Sequence, residues 1–206
     1  MLLYYITDRS QFPGDENERC QALVCKIAEA ARCGVDLIQL REKDLSSRDL
    51  ESLAHSALKT IRQHSGKTRL LINSRTDIAI ACGADGVHLR SEDVSPQDVR
   101  LAWKASKNQG EPYVGVSCHT RQDVAHARSK TADFVVFAPV FEKKDFLATG
   151  IAGLRDACQE KIPVIALGGV TVENARLCFE AGAAGIAGIR IFQQNDIAEV
   201  IKKLRG

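Results

Sequence analysis

Eight short apolar runs, rich in β-branched residues, recur along the chain and are separated by amphipathic segments. The runs cover Leu2 to Thr7, Val35 to Leu40, Arg69 to Asn73, Gly86 to Leu89, Tyr113 to Ser117, Phe134 to Val140, Pro163 to Leu167 and Gly185 to Ile191. Ser47 to His64 and Pro96 to Ala105, the latter behind the cap candidate Ser95, have the apolar spacing of helices. Apolar strands that alternate with helices predict a parallel sheet covered on its outer face. Eight such units predict an α/β fold, a single compact TIM (β/α)8 barrel, with residues 1–206 as one domain.

Three helix-to-strand junctions share one pattern, in which glycine follows the expected end of a helix. These glycines are Gly34, Gly83 and Gly182. A helix commonly ends with a residue in the left-handed conformation, which glycine adopts without steric cost. The repeated junction therefore supports a chain built from similar units.

The overall composition excludes a strong charge bias. The 206 residues are 45% hydrophobic and 26% charged, and the net charge is +2. We therefore expect neither nucleic acid nor a membrane as a partner, and any preference for anions must be local. The seven cysteines form no C-x-x-C pair, which predicts reduced thiols and a cytoplasmic protein. A homo-oligomer is compatible with the sequence and is left open.

Two glycines follow the seventh apolar run, at Gly168 and Gly169. Glycines let backbone N–H groups approach an anion closely, and we expect a helix beginning near Thr171 to direct its positive end to the same place. In TIM barrels the loops after strands seven and eight commonly bind phosphate. Taken alone, the pair fits a tight strand-to-helix turn equally well, but its position along the chain favours a phosphate site.

Polar residues follow the strands at the end of the barrel where chemistry is expected. Side chains alternate along a strand, so Gln39, Arg41 and Lys43 should share a face, and two cations converge if that face is the barrel interior. The alternative is that Arg41 and Lys43 are solvated charges at the rim. The ends of strands three to five supply further polar candidates, Asn73, Asp93, Ser117 and His119.

Six fragments at successive strand ends make a recognisable set: Tyr4-Tyr-Ile-Thr-Asp8, Gln39-Leu-Arg-Glu-Lys43, Ile72-Asn73, Gly86-Val-His-Leu89 with Glu92-Asp93, Gly115-Val-Ser117 with His119-Thr120, and Leu167-Gly-Gly-Val-Thr171. Together they resemble the thiamin phosphate synthase/TenI family over essentially the whole chain. The resemblance implies a TIM barrel that handles thiazole phosphate. In the synthase branch it implies joining that molecule to hydroxymethylpyrimidine diphosphate with release of pyrophosphate.

The resemblance also implies roles for individual residues. Arg41, Lys43 and Ser117 become catalytic candidates, the two cations acting on the diphosphate and Ser117 on the pyrimidine or its leaving group. Gln39 and Asn73 would also hold the diphosphate. Asp93 would help to bind the cofactor Mg²⁺, and Gly168 and Gly169 would lie at the thiazole phosphate. Lys143 or Lys144 matches the family's basic residue after strand six. Charge on a departing pyrophosphate is what fixed cations and Mg²⁺ stabilise.

Three positions depart from the synthase pattern. Ser74 stands where that branch has an acidic second magnesium ligand, although one or two carboxylates suffice for Mg²⁺ when substrate phosphates and water complete its shell. The loop after strand six lacks the family's threonine-rich insert. Arg190, expected at the end of strand eight, replaces a serine and could bind phosphate bidentately or narrow the pocket.

Two alternatives to a synthase remain. In a TenI-type thiazole tautomerase, His119 would be the catalytic proton carrier, a task that suits histidine as a residue type because its imidazole gains and loses a proton near physiological pH. A noncatalytic paralogue would bind thiazole phosphate and convert nothing. The other histidines, His88 in strand four among them, indicate only surface or packing roles.

Overall fold

Eight parallel strands close into a barrel in the computed structural model of the protein, which describes residues 1–106, 110–141 and 148–205. The strands are β1 (Leu2–Ile6), β2 (Leu37–Leu40), β3 (Arg69–Asn73), β4 (Gly86–Leu89), β5 (Tyr113–Cys118), β6 (Phe134–Phe137), β7 (Val164–Ala166) and β8 (Gly185–Gly188). Each strand pairs with its neighbours in chain order, and β8 returns to pair with β1. The predicted TIM barrel is confirmed.

Helices between and after the strands form the outer layer. They are α1 (Glu16–Arg32), α2 (Ser47–His64), α3 (Thr76–Cys82), α4 (Pro96–Ala105), α5 (Arg121–Ser129), α6 (Gly150–Ala157), α7 (Ala175–Glu180), the short α8 (Arg190–Gln193) and α9 (Ile197–Arg205), and a 3-10 turn covers Arg9–Gln11. Ser95 caps α4 as predicted, since its side chain accepts from the Asp98 N–H. Of the helices in the described ranges, none is both long and apolar enough to span a bilayer.

The three junction glycines have the predicted left-handed conformation, with φ of +80° at Gly34, +70° at Gly83 and +101° at Gly182. Several strands are shorter than predicted, and two of them end three residues early. β6 ends at Phe137, before the buried Val140, and β8 ends at Gly188, before Ile191 on α8. An apolar run predicts that its residues are buried. It does not show where a strand ends and where the buried residues of a following loop or short helix begin.

Two cores separate because side chains alternate along each strand. The barrel interior contains Tyr4, Ile6, Leu37, Leu71, Phe134, Val136, Ile165 and Ala187. The larger core lies between the strands and the helices and includes Leu3 and Tyr5 on the other face of β1. The Phe134 ring fills the space beside Gly115, where a Cβ atom would overlap it.

Aspartates tie neighbouring strands together at the N-terminal end of the barrel. The carboxylates of Asp36, Asp85 and Asp133, each just before a strand, accept from the backbone N–H groups of Leu3 (2.9 Å), Leu70 (2.7 Å) and Val114 (2.7 Å). Each bond therefore joins an even-numbered strand to the strand before it. A carboxylate suits this place because a charged acceptor makes a stronger hydrogen bond than a neutral one.

Substituting Asp36→Ala tests these ties, since it leaves the Leu3 N–H without its acceptor. We expect a loss of about 1 to 3 kcal/mol in the free energy of unfolding, measured by urea denaturation. Asp156→Ala is the control, because Asp156 is exposed and its nearest ion-pair contact, to Arg121, is 3.6 Å. An equal loss in both variants would show that the Asp36 tie contributes nothing specific.

Candidate active site

A buried ion-pair network organises the loops after β1 and β2. Arg9, only 4% exposed, donates to Glu42 (3.1 Å), to both oxygens of Asp44 (2.7 and 2.8 Å) and to Glu16 (2.6 Å). Thr7 donates to Glu42 at 2.5 Å and accepts from the Arg41 N–H at 3.0 Å. Burial raises the pKa of Glu42, while the hydrogen bonds from Thr7 and Arg9 oppose that rise. The network therefore fixes the backbone from which the side chain of Arg41 extends.

This network was not predicted from the sequence, although the sequence contains a signal for it. If Gln39, Arg41 and Lys43 share one face, Glu42 must point the other way, towards the layer between the strands and the helices. A carboxylate buried there requires a cation or hydrogen-bond donors. Arg9 is such a cation, but nothing in the sequence pairs the two residues.

Cations gather at the ends of β2 and β4. Arg41 is half-buried and Lys43 is exposed. The pKa of Lys43 is lowered by Arg41, then by partial burial and by Arg90. Arg41 also helps to lower the pKa of Asp8, which burial alone would raise and to which Ser10 and Gln11 donate hydrogen bonds. Arg41 and Arg90 therefore both lie near enough to Lys43 to act on it electrostatically; Arg90 was not among the candidates from the sequence.

Asp93 lies beside this cation cluster and is held by several donors. Its carboxylate accepts from the Arg90 N–H (2.7 Å) and from the Arg90 guanidinium (2.9 and 3.1 Å). Burial acts to raise the pKa of Asp93, but hydrogen bonds from Arg90 and from Ser74 lower it overall. Ser74 in turn accepts from the Asn73 amide at 3.3 Å. Asn73, Ser74 and Asp93, from β3 and β4, thus meet in one place.

The residues present fit Mg²⁺ only together with a phosphorylated substrate. Within the described ranges, no three His, Cys, Asp or Glu side chains come together in a group that could hold a metal ion. Asp93 is a single ionised carboxylate, and Mg²⁺ is commonly held by one or two carboxylates plus phosphate oxygens and water. The Arg90 guanidinium binds one carboxylate oxygen and the Arg90 backbone N–H binds the other, so a cation must compete with these donors.

A line of polar side chains crosses the barrel interior. The Gln39 amide nitrogen donates to the Tyr4 hydroxyl (2.9 Å), which lies 3.1 Å from His88 Nδ1, and His88 Nε2 lies 2.9 Å from the Ser117 hydroxyl. Gln39, Tyr4 and His88 are buried, and Ser117 is half-buried. Burial, with a smaller contribution from Arg41, lowers the pKa of His88 to about 3. The imidazole is therefore neutral at physiological pH.

The sequence indicated only a surface or packing role for His88, and the side chain is indeed buried but also makes polar contacts. Both of its ring nitrogens are within hydrogen-bonding distance of a hydroxyl group. The register could have indicated this position, because His88 lies beside Asn73 on β3 and Gly115 on β5. Gln39, expected at the mouth, is instead only 2% exposed, and its amide is bound to Tyr4.

His119 lies beyond the end of β5 and is exposed. Its Nδ1 atom is 2.7 Å from the carbonyl oxygen of Ala138. A carbonyl only accepts, so Nδ1 carries the proton of the neutral ring and Nε2 has a free lone pair. Because the strand ends at Cys118, Ser117 and His119 are not continuous on one strand face, and only Ser117 is bonded within the interior.

The predicted phosphate cradle has partly the expected form. Gly168 and Gly169 have φ of +95° and +65°, values that suit glycine, and a Cβ on Gly168 would lie 2.7 Å from the Pro139 Cα. The helix expected near Thr171 begins at Ala175, after a turn closed by the Thr171 N–H to Asn174 Oδ1 bond of 2.8 Å. Asn174 stabilises this turn, because its Oδ1 accepts from the Thr171 N–H and its amide nitrogen donates to the Gly169 carbonyl at 2.9 Å.

Two further candidates differ from expectation. Arg190 begins α8 rather than ending strand eight, because the backbone turns helical directly after Gly188. Its side chain is exposed, and no ion pair to it is found among the described residues. Lys143 lies outside the described residues.

A cavity of about 580 Å³ lies at the opposite end of the barrel. Arg69 and Tyr113, which begin β3 and β5, line it, and the Arg69 guanidinium lies 4.4 Å from the centroid of the Tyr113 ring. Reactions in this fold take place at the C-terminal ends of the strands, so this cavity is not the candidate active site.

Comparisons with known proteins agree with this arrangement. Residues 3–192 match the sequence model of a family described as thiamine monophosphate synthase. The chain is 35% identical to thiamine-phosphate synthase of Syntrophomonas wolfei, over 98% of this chain and 94% of the relative. It is 34% identical to the synthase of Clostridium novyi, over 94% and 91% of the two chains. The solved thiamine phosphate pyrophosphorylase of Pyrococcus furiosus superposes with a TM-score of 0.82 at 28% identity, over 99% of this chain and 93% of that one.

Substituting Gly168→Ala tests the close approach at the end of β7. An alanine must adopt an unfavourable positive φ and displace Pro139, so we expect a loss of about 1 to 3 kcal/mol or more in the free energy of unfolding. Gly66→Ala is the matched control, since nothing lies within 4 Å of a Cβ built there. Denaturant titration measures both variants, and an unchanged Gly168→Ala protein would contradict the close packing.

Proposed function

The chain belongs to the thiamine monophosphate synthase family, and on this premise we propose that it catalyses the synthase reaction. Hydroxymethylpyrimidine diphosphate and thiazole phosphate are joined, and pyrophosphate is released. The observation that carries the proposal is the cation cluster of Arg41, Lys43 and Arg90 at the barrel mouth, beside Asn73 and Asp93. Such a cluster suits the binding of a diphosphate substrate. A tautomerase binds no diphosphate and does not need the cluster.

The cations would act on the leaving group. When the bond between the pyrimidine methylene carbon and the diphosphate oxygen breaks, negative charge grows on pyrophosphate. The backbone that carries Arg41 and Lys43 is held in place before the reaction starts, because the Arg9 network fixes this loop. Charges already in place stabilise the transition state without reorganisation. The pyrimidine ring spreads the developing positive charge, and the reaction requires no nucleophile from the protein.

Mg²⁺ would bind at Asp93 together with diphosphate oxygens. When bound, it supplies positive charge that neutralises the departing pyrophosphate. Ser74 contributes a hydroxyl where the family has a second carboxylate, and Arg90 competes for Asp93. We therefore expect metal affinity to be weak in the absence of substrate.

The thiazole phosphate would lie at the loops after β7 and β8. Positive φ at Gly168 and Gly169 turns the backbone there sharply, and the exposed Arg190 begins α8 on the neighbouring loop. Backbone N–H groups at such turns, together with a guanidinium, suit a phosphate monoester. Small phosphorylated molecules are thus the proposed partners.

All seven cysteines lie in the described residues, and all have free thiols. Free thiols support a cytoplasmic location.

A second candidate function rests on His119. Its Nδ1–H bond to Ala138 leaves Nε2 free to accept a proton at an exposed position. That arrangement suits a thiazole tautomerase, in which one group removes and returns a proton. The noncatalytic paralogue remains the third alternative.

The direct test mixes the purified protein with both substrates, with and without Mg²⁺, and follows thiamin phosphate by chromatography. Product that requires the metal supports the synthase. No product, but conversion of the thiazole carboxylate phosphate tautomer in a His119-dependent manner, would favour the tautomerase. Saturable binding of thiazole phosphate with no turnover of either kind would favour the paralogue.

Arg41→Ala should lower the synthase rate by about 100-fold or more, because it removes a fixed charge that acts on the leaving group. Any tautomerase activity should be largely unaffected. Arg176→Ala controls for the loss of a cation, since the Arg176 side chain is 87% exposed on α7. Steady-state kinetics decide, and equal loss of both activities would show that Arg41 has been misassigned.

Ser74→Asp should lower the Mg²⁺ concentration needed for half-maximal rate, because a second carboxylate would face the metal beside Asp93. Ser74 has φ of +59°, which aspartate and asparagine tolerate better than most residues. Ser74→Asn is therefore the matched control, with nearly the same shape and no charge. If the two variants have the same Mg²⁺ dependence, the metal is held elsewhere.

A further inference from the structure

The line of polar side chains inside the barrel has one buried end and one half-buried end. Gln39 ends it within the barrel at 2% exposure, and the half-buried Ser117 ends it near the strand ends that form the mouth. Tyr4 and His88 link the two, and each is less than 4% exposed. Water has little access to these groups, so their hydrogen bonds must be made with one another.

The direction of the hydrogen bonds follows from Gln39. Its amide nitrogen can only donate, so the Tyr4 oxygen accepts and the Tyr4 proton is left for His88 Nδ1. A neutral imidazole that accepts at Nδ1 carries its proton on Nε2. Nε2 therefore donates to the Ser117 oxygen.

In the opposite arrangement, donor and acceptor exchange roles in every hydrogen bond of the line. Tyr4 would donate to an oxygen of residue 39, His88 would donate from Nδ1, and Ser117 would donate to Nε2. The Ser117 hydroxyl would then have no proton to offer a substrate. The orientation of the Gln39 amide thus selects between two states, and in this structure it is the nitrogen that faces Tyr4.

Protonation of His88 would disrupt either state, because a cationic ring donates from both nitrogens. Burial keeps the pKa of His88 at about 3, with a further lowering by Arg41. The His88 ring is therefore neutral and carries one N–H proton, on either Nδ1 or Nε2.

We propose that Gln39, Tyr4 and His88 are positioning residues that make Ser117 a hydrogen-bond donor to the substrate. The group that Ser117 binds is then an acceptor with a lone pair, a pyrimidine ring nitrogen or a phosphate oxygen, and not the amino group of the pyrimidine. The identity of the substrate rests on the proposed synthase function, whereas the direction of the hydrogen bonds does not.

The direction is tested by NMR on the unliganded protein labelled with ¹⁵N-histidine. Long-range proton–nitrogen correlations distinguish protonated from unprotonated ring nitrogens, and the signal lost in His88→Gln assigns the residue. If that variant does not fold, Tyr4→Phe assigns it through the changed Nδ1 shift. We expect Nε2 to carry the proton. A proton on Nδ1 would overturn the proposal, whatever the protein catalyses.

The effect on binding is tested by calorimetry with hydroxymethylpyrimidine diphosphate. Tyr4→Phe removes the donor to Nδ1 and should weaken binding roughly 3- to 10-fold, the usual worth of one hydrogen bond. Tyr5→Phe is the control, since the Tyr5 hydroxyl is likewise buried and donates a hydrogen bond, 2.9 Å to Gln193, but lies on the other face of β1. Equal weakening in both variants would contradict a specific role for Tyr4.

A double-mutant cycle separates positioning from general loss of structure. If Tyr4 acts through Ser117, Tyr4→Phe should have no further effect on binding once Ser117→Ala has removed the hydroxyl. Fully additive effects would overturn the proposal. If no form of the protein binds the pyrimidine diphosphate, the proposed function fails, while the NMR experiment still decides the direction of the hydrogen bonds.

Discussion

Exclusion of water from the barrel interior is the constraint on which the rest of the site depends. Inward side chains of eight strands fill that space, and most are apolar. A polar group placed there costs free energy unless it is hydrogen-bonded. Gln39, Tyr4 and His88 meet this condition together, and they lead to Ser117, the group nearest the mouth. The chemistry of the mouth is therefore coupled to the core by a chain of obligatory hydrogen bonds.

Charge at the mouth is arranged by a second buried group of side chains. Arg9 and Glu42 are both at most 5% exposed and lie outside the strands, where they join the first two loops. Their pairing with Asp44 and Thr7 places Arg41 without using its own side chain. The guanidinium of Arg41 thus remains available to a substrate. Because side chains alternate after β2, Glu42 lies behind the site, where it pairs with Arg9. Arg41 and Lys43 lie on the other face, within the site, as unneutralised cations.

Ser74, one of the three departures from the family pattern, lies beside Asp93. Ser74 replaces a carboxylate, and the Arg90 guanidinium binds the remaining one. Both features would reduce the negative charge that a divalent cation meets at Asp93. The pairing also neutralises the Arg90 guanidinium, so Arg41 and Lys43 are the cations left to meet a diphosphate in the proposed reaction.

Much of the fold followed from local patterns, because strand and helix periodicity, the Ser95 cap and the left-handed glycines depend on a few neighbouring residues. The rule that strand ends share one rim predicted that Arg41, Asn73, Asp93 and Ser117 would lie at one end of the barrel, and the family resemblance supplied their expected roles. The ends of β6 and β8 and the helical start at Arg190 did not follow, because burial alone does not define backbone conformation. Pairings between distant residues, Arg9 with Glu42 and Tyr4 with His88, depend on strand register and on how the barrel closes. The sequence by itself determined the barrel and its chemical end, whereas the tertiary structure decided which polar groups are paired, since pairing requires contacts that only closure of the barrel creates.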